Sequence, residues 1–232
     1  MPESVSTDLG KELRNEVLSK YDIDDYKTEK INLFTKELNF EKDVKVYVIK
    51  SRQFNAFATP GKYIFVYSGV FDKLNSYEEL ASLLSHEYTH IDKNHGLRSV
   101  GRSFGYEIFT SVFFSDDLKE QIFDNSNMLI NLEYSRAFEK EADLNTIKLL
   151  QKENIDLNGM LSLLKIMREI EPRRISNSEL SDHPNTIERI EYIEDEIEIT
   201  NNNSTINYEL ETIFSEIKNS KYKTFYNNVY SS

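Results

Sequence analysis

The stretch "SHEYTHIDKNHG", residues 85–96, contains three of the four histidines in this chain of 232 residues. His86 and His90 are four residues apart, and Glu87 directly follows the first of them. On an α-helix such a pair of histidines lies about 40° apart and about 6 Å along the axis, so that both imidazoles can reach one ion. The spacing therefore predicts a zinc site with His86 and His90 as ligands, in which Glu87 takes a proton from the bound water.

The alternative interpretation of this stretch is a polar helix face exposed to solvent. Leu80, Leu83 and Leu84 precede the histidines. A helix with leucines around its histidines is half-buried, and a buried pair of histidines favours a metal site over a solvated face. The H-E-x-x-H pattern is typical of zinc hydrolases.

A catalytic zinc ion needs three protein ligands and one open position for water. The segment "SRAFEKEAD", residues 135–143, offers the third ligand, because Glu139 and Asp143 share one face of a predicted helix. One of these carboxylates can bind zinc, while the other accepts the free N–H of a liganding histidine. Glu141 points about 160° away from Asp143 and is the weakest of the three acidic candidates.

Composition limits the class of protein. The chain has 40 acidic and 28 basic residues and a net charge of −12, which argues against a nucleic-acid surface. It has no cysteine, which excludes disulfides, cysteine-ligated zinc and a thiol nucleophile. Because we find neither a signal peptide nor a run of roughly 18 apolar residues, we expect a soluble protein.

Hydrophobic periodicity predicts a mainly α protein of the α+β class. Two helices are expected within residues 3–38, and alternation in "DVKVYVIKS" (43–51) and "YIFVYSG" (63–69) predicts two strands, with "QFNAFA" as the only further β material. Ser76 and Glu79 form a capping box that opens a helix ending at Gly96. We expect the small sheet to lie over this helix.

The C-terminal half is predicted to be helical around two less regular segments. Helices are expected at 132–151 and 157–170, whereas residues 99–131 are apolar but irregular. A polar loop then leads to a helix with an apolar stripe, formed by Ile187, Ile190, Ile193 and Ile197. Residues 1–199 are predicted to form one domain, and a linker, a helix and a frayed tail at 200–232 belong to the same domain.

Four stretches in order resemble the M48 metallopeptidases, the family of the CAAX prenyl protease and of bacterial quality-control proteases. They are "HEYTH" (86–90), the "SRAFEKEAD" segment about fifty residues later, "FNAFATPGKYIFVYSGVF" (54–71) upstream and "DHPNTIERI" (182–190) downstream. The resemblance covers roughly residues 5–195. It implies a gluzincin-like zinc metallopeptidase domain that holds one zinc ion per chain.

The resemblance also assigns roles to individual residues. It implies that Glu139 is the third zinc ligand, that Glu87 activates water, and that Asp143 orients a liganding histidine. Asn55 and Ala56 fall in the family's N-A-F-A segment, which implies an edge strand where an extended peptide is expected to bind by backbone pairing. The alternative for Asn55 is a turn-forming asparagine.

Two further histidines are interpreted separately. By resemblance, His183 either stabilises the oxyanion or serves as a fourth zinc ligand that closes the site. His95 is interpreted as a histidine at a helix end, favoured there by the helix dipole, and not as a ligand.

These expectations predict a zinc-dependent endopeptidase that acts on protein or peptide substrates. Because nothing in the sequence spans a membrane, we expect unfolded or misassembled proteins as substrates rather than prenylated ones. The resemblance also implies a place at the cell envelope, where family members of this type often work. Two alternatives remain: a zinc-containing chaperone-like or binding module whose cleft is plugged by residues 99–131, and a purely structural zinc site with four protein ligands.

Overall fold

The computed structural model describes residues 3–104, 134–170 and 186–229 of the chain. Within these ranges, eight α-helices surround one three-stranded sheet, as the α+β, mainly α prediction requires. The helices are α1 (Glu3–Lys20), α2 (Asp25–Glu37), α3 (Tyr77–Asp92), α4 (His95–Phe104), α5 (Arg136–Lys152), α6 (Asn158–Ile170), α7 (Thr186–Ile199) and α8 (Tyr208–Val229). The strands are β1 (Lys45–Ile49), β2 (Ala56–Thr59) and β3 (Tyr63–Tyr67), and a short 3₁₀ helix follows at Ser68–Asp72.

The sheet has the order β1-β3-β2, with β3 in the centre. β1 runs parallel to β3, and β2 runs antiparallel to it, with Ala58 opposite Ile64. Successive side chains of a strand point to opposite faces, and the two faces of this sheet are both apolar. The predicted strands at 43–51 and 63–69 are therefore confirmed, and the segment between them supplies the third.

Each face of the sheet contributes to a separate hydrophobic cluster. Val46, Val48, Ile64 and Val66 face the main core, which also contains apolar residues of α2, α3, α6 and α8. Phe65 and the other alternate residues of β3 face a smaller cluster that includes Val17 of α1. The sheet is thus covered on one side by α1 and on the other by α2 and α3, which is the predicted position over α3.

Helix α3 lies in the centre of the molecule, and almost every one of its residues is buried. Its N-terminus has the predicted cap, because Ser76 Oγ accepts a hydrogen bond from the backbone N–H of Glu79. The Glu79 carboxylate bonds to the N–H of Asn75 and to the hydroxyl of Ser162 on α6. The cap therefore also fixes α6 against α3.

The predicted C-terminus of this helix is wrong. α3 ends at Asp92 with Lys93 as its cap, and Asn94 takes the left-handed conformation with a φ of 54°. Gly96 lies inside α4 instead of terminating α3. Asparagine tolerates the left-handed region almost as glycine does, because its short side chain can hydrogen-bond locally.

The C-terminal helix α8 packs against α2, and Leu210 and Ile217 are fully buried in the main core. Its backbone stays helical through Val229, within the stretch that was predicted to fray. Extension of an existing helix adds one hydrogen bond per residue, which favours this continuation. Residues 105–131 of the irregular segment and the polar loop at 171–182 lie outside the described residues.

Among the described residues, we find no helix that combines the length and the apolar character needed to cross a lipid bilayer.

Replacement of Gly159 should test the close contact between α6 and α3. A Cβ atom at this position would lie 2.5 Å from Glu78 Cβ and 2.7 Å from its carbonyl carbon. Because helix backbone cannot move away cheaply, Gly159→Ala is expected to lower the free energy of unfolding by about 1–3 kcal/mol.

Gly96→Ala is the matched control, because a Cβ there would meet Pro60 at 3.5 Å and the Tyr134 hydroxyl at 3.8 Å, both ordinary contact distances. Since alanine is the better helix former, this variant should be as stable as the wild type or up to about 1 kcal/mol more stable. Urea denaturation in the presence of a chelator measures both variants. Equal stability of the two would contradict the described packing of α6.

Candidate active site

Two helices bring three of the predicted residues together. His86 and His90 lie on α3 and Glu139 lies in the first turn of α5, and all three side chains are buried. Nε2 of His86 is 3.0 Å from Nε2 of His90, and each of these atoms is 3.5 Å from an oxygen of Glu139. Among the described residues, this is the one group of histidine and acidic side chains close enough to hold a metal ion.

The distances of 3.0–3.5 Å between the two imidazole nitrogens and the Glu139 oxygens fit a shared metal ion. Ligand atoms that bind zinc at 2.0–2.2 Å in tetrahedral geometry lie about 3.4 Å from one another. The two imidazoles and one carboxylate are also the donor types that zinc prefers in catalytic sites. Three ligands leave one position of a tetrahedron for water.

The charges buried around this group also fit a cation. Glu87, Glu139 and Asp143 are at most 1% exposed, and among the described residues the buried guanidinium beside them is that of Arg189. When all three carboxyl groups are ionised, two negative charges remain in excess. Because uncompensated buried charge is very unfavourable, a divalent cation would stabilise this cluster.

Asp143 lies one helical turn after Glu139 and contacts the first histidine. Its Oδ1 is 2.9 Å from Nδ1 of His86, the ring nitrogen that faces away from the candidate metal position. A hydrogen bond there places the His86 proton on Nδ1 and leaves the Nε2 lone pair directed at Glu139 and His90. The geometry is the one predicted for Asp143, whose role stays a prediction.

Two residues of α7 that were not predicted hold Asp143 in place. Arg189 donates two hydrogen bonds of 2.8 Å to the two Asp143 oxygens, and its Nη1 lies 2.8 Å from Oε2 of Glu139. The Tyr192 hydroxyl donates a 2.5 Å bond to Asp143 Oδ2. The guanidinium therefore joins the two carboxylates that approach the histidines.

A second unpredicted contact involves His95. Its ring is buried, and Nδ1 of His95 is 2.9 Å from Nδ1 of His90. Nε2 of His95 is 3.1 Å from Oε2 of Glu141, which also accepts a bond from Arg98. The interpretation of His95 as a helix-end histidine favoured by the dipole is therefore wrong, because α3 ends at Asp92 and His95 is the first residue of α4, where it packs on His90. Glu141, the weakest acidic candidate, bonds to this third histidine.

Burial and charge shift the protonation of the residues around His86. Burial raises the pKa of the Asp143 carboxyl, but the Arg189 charge and the His86 hydrogen bond outweigh it and lower this pKa. Burial lowers the pKa of His86, yet its hydrogen bonds to Asp143 and Glu139 raise it overall. Burial and the neighbouring Asp143 charge both raise the pKa of Tyr192. Asp143 is therefore held as an anion, and Tyr192 as a neutral donor.

The pKa values around His95 differ in direction. Burial lowers the pKa of the His95 imidazole, and its bond to Glu141 only partly offsets this effect. Burial raises the pKa of Glu141, but the hydrogen bonds from His95 and Arg98 lower it more. The pair is thus a neutral imidazole beside an ionised carboxylate.

The remaining predicted residues lie as follows. Glu87 is buried on α3 next to His86. Asn55 immediately precedes β2, where its carbonyl accepts a hydrogen bond from the N–H of Tyr67 on β3, and Ala56 is the first residue of β2. His183 lies outside the described residues.

The contacts of Arg189 and Tyr192 on α7 were difficult to predict from the sequence. Of the predicted stripe, Ile190 and Ile193 are buried as expected, whereas Ile187 is 57% exposed. Thr186 and Arg189 complete the buried face, and Arg189 reaches Asp143 from it. The available signal was the position of Arg189, four residues before the buried Ile193 on the same face of the helix. An arginine on such a face indicates a buried acidic partner.

The fold and the site are typical of metalloproteins in which one central helix, here α3, provides two histidines. A later helix, here α5, provides a glutamate. A family model described as "Peptidase family M48" matches residues 25–197. The chain therefore belongs to peptidase family M48.

Curated relatives agree with this assignment. Metalloprotease YcaL of Escherichia coli (strain K12) is 30% identical over 159 residues, which are 66% of this chain and 61% of that protein. Metalloprotease LoiP of the same organism is 28% identical over 157 residues, or 65% of this chain and 61% of that protein. Mitochondrial metalloendopeptidase OMA1 of Schizosaccharomyces pombe is 30% identical over 159 residues, covering 65% of this chain and 46% of that protein. The chain thus spans less than two thirds of the length of these relatives.

Replacement of Arg189 should expose the electrostatic balance of the site. Arg189→Met leaves Asp143 and Glu139 buried without their cation. We expect the metal-free protein to lose about 3–5 kcal/mol of its free energy of unfolding, the usual effect of removing one partner from a buried ion pair. Urea denaturation in a chelator measures this loss.

Arg136→Met is the control, because Arg136 and its partner Glu188 have side chains that are 72% and 61% exposed. A pair so exposed contributes about 0–1 kcal/mol. Similar losses in the two variants would contradict the described role of Arg189.

Proposed function

We propose that this protein is a zinc-dependent metalloendopeptidase. The observation that carries the proposal is the buried convergence of His86, His90 and Glu139, with Glu87 adjacent on the same central helix. Membership of peptidase family M48 and the names of the metalloprotease relatives support it. The same names favour an enzyme over a binding module with a plugged cleft.

His86, His90 and Glu139 would hold the zinc ion. A zinc ion at this place would supply Lewis-acid activation of water and of the scissile carbonyl. Neutral imidazoles bind zinc well, and the hydrogen bond of His86 to Asp143 favours the required tautomer. Arg189 would keep both Glu139 and Asp143 in the orientation that this site needs.

Glu87 would act as the general base. It precedes His90 by three residues and follows His86 by one, so its side chain leaves α3 about 100° around the axis from His86 and about 60° from His90. A carboxylate that is not itself a ligand can accept the proton of the attacking water and return it to the leaving amine. His183 remains a predicted contributor, either to the oxyanion or as a fourth ligand.

The substrate would bind as an extended chain along β2. This strand is at the edge of the sheet and contacts α3, the helix that carries the histidines. An edge strand can pair with the backbone of an added peptide whatever its side chains are, and we assign Asn55 and Ala56 to this contact. Because a folded protein rarely offers an extended segment, unfolded or misassembled proteins are the proposed substrates, and a quality-control role at the cell envelope is the proposed setting.

Metal analysis tests the proposed ligands. The purified protein is expected to bind one zinc ion per chain, and Glu139→Ala is expected to lose stoichiometric zinc, since two imidazoles alone hold the ion weakly. Inductively coupled plasma mass spectrometry after dialysis measures the content. Unchanged stoichiometry in Glu139→Ala would contradict the ligand set.

Glu87→Gln separates catalysis from metal binding. The amide has the same shape as the carboxylate but cannot accept a proton, so the variant should keep its zinc and its fold while losing nearly all cleavage of unfolded casein. Removal of general-base catalysis alone typically lowers rates by about 10²–10⁴-fold.

Glu194→Gln provides the matched control, because Glu194 is half-exposed and pairs with Lys165 at the surface of α7. It should cleave casein like the wild type. Equal turnover by Glu87→Gln and Glu194→Gln would contradict the mechanism. Zinc binding without any cleavage by the wild type would instead favour the binding module or the structural site.

A further inference from the structure

The two histidines of the candidate metal site have different partners at their outer ring nitrogens. Nδ1 of His86 contacts a carboxylate directly, because Asp143 Oδ1 lies 2.9 Å away. Nδ1 of His90 contacts a third imidazole instead, with Nδ1 of His95 at 2.9 Å. That imidazole contacts a carboxylate in turn, since His95 Nε2 lies 3.1 Å from Glu141 Oε2.

We propose that His95 is a positioning residue for the metal site, which connects His90 to the Glu141 carboxylate and holds the His90 ring in its metal-binding tautomer. The inference rests on the proposed metal site and adds a residue pair to it. His95 would not bind the ion itself, since both of its ring nitrogens already face other groups.

The distribution of protons along this chain follows from the chemistry of imidazole. A neutral histidine that binds a metal through Nε2 must carry its proton on Nδ1. The His90 N–H then donates to His95 Nδ1, which must be an unprotonated acceptor. The proton of neutral His95 therefore lies on Nε2 and is donated to Glu141. Each ring nitrogen of His90 and His95 is thus either a donor or an acceptor, with no alternative. In both hydrogen bonds the donor is the group nearer to the metal position.

Packing fixes the His95 ring in the plane that this chain requires. Phe138 stacks on it with ring centroids 4.4 Å apart and an angle of 9° between the planes. Tyr134 stacks in the same manner on His90, at 3.9 Å and 18°. The stacking holds the planes of both imidazoles in the orientation in which their Nδ1 atoms can face each other.

Local sequence explains how His95 reaches this position. Asn94 follows α3 in the left-handed conformation, and α4 starts at the next residue, which places His95 beside His90. Glu141 lies two residues after Glu139 on α5, about 200° around the helix, and therefore approaches from the far side of His95. The turn at Asn94 therefore positions His95, and the two-residue spacing on α5 positions Glu141. Together they form the relay from His90 through His95 to Glu141.

Metal affinity tests the relay directly. His95→Phe keeps a flat ring that can stack on Phe138 but removes the acceptor for the His90 N–H. We expect it to bind Zn²⁺ about 10–100-fold more weakly than the wild type, the usual effect of losing such a partner. Competition with a chromophoric chelator measures the dissociation constant, and the visible spectrum of the Co²⁺-loaded protein should shift as well.

His95→Asn distinguishes positioning from packing. The amide oxygen of asparagine stands near the place of Nδ1 in histidine, so it can accept the His90 N–H although the aromatic ring is lost. This variant should recover most of the affinity for Zn²⁺ that His95→Phe loses. If packing alone mattered, His95→Asn would bind Zn²⁺ no better than His95→Phe, and that result would overturn the proposal.

Glu141→Gln tests the outer end of the relay. It also tests whether the relay supports Zn²⁺ binding if the His95 variants do not fold. The amide still accepts from His95 but carries no charge, so a smaller loss of Zn²⁺ affinity is expected than in His95→Phe. Glu194→Gln, which also removes a half-exposed carboxylate paired with a surface cation, should bind Zn²⁺ like the wild type. Equal affinity of these two glutamine variants would overturn the relay.

The outcome for the wild type separates this inference from the proposed function. A wild-type protein that binds no Zn²⁺ would overturn both. Tight binding by the wild type with the same dissociation constant and the same Co²⁺ spectrum in His95→Phe would overturn the relay alone.

Discussion

The salt bridge between Arg189 and Asp143 is the interaction on which the candidate site depends. It is completely buried, and it places one cation between two carboxylates, those of Asp143 and Glu139. That cation compensates the negative charge of both buried carboxylates, which would otherwise be very unfavourable so far from water. The interaction also fixes α7 against α5, so the packing of the helices and the orientation of the site have the same cause.

The central position of α3 follows from a related constraint. A buried helix that carries two histidines and a glutamate after its leucines must bury polar groups together with apolar ones. The apolar residues pack against the sheet and α6, while the polar ones need partners within the protein. Asp143 and His95 supply those partners to His86 and His90. The fold can therefore place a polar helix in its core because neighbouring helices satisfy its hydrogen bonds.

The sequence predicts those features of the molecule that depend on local spacing. Alternation predicts β1 and β3, the three-and-four spacing predicts most helices, and a separation of four residues is enough to place His86 and His90 on one helix face. The contacts of Arg189 and His95 could not be predicted in this way. They depend on which faces of two helices meet and on a single left-handed residue, Asn94, whose conformation ends α3 earlier than the nearby glycine had indicated.

Helix α5 shows how a short sequence can serve several partners at once. Its three acidic residues, Glu139, Glu141 and Asp143, are spaced two apart, so the first and third lie about 40° from each other and the second lies almost opposite. Glu139 approaches the facing nitrogens of both α3 histidines, Asp143 contacts the outer nitrogen of His86, and Glu141 bonds to His95. Two of these carboxylates are buried and share one guanidinium, whereas Glu141 lies partly in solvent beside Arg98. The electrostatic effect of a carboxylate is therefore stronger at His86 than at His90. Asp143, beside His86, is buried away from water, whereas the charge of Glu141, which His90 reaches through His95, is screened by solvent.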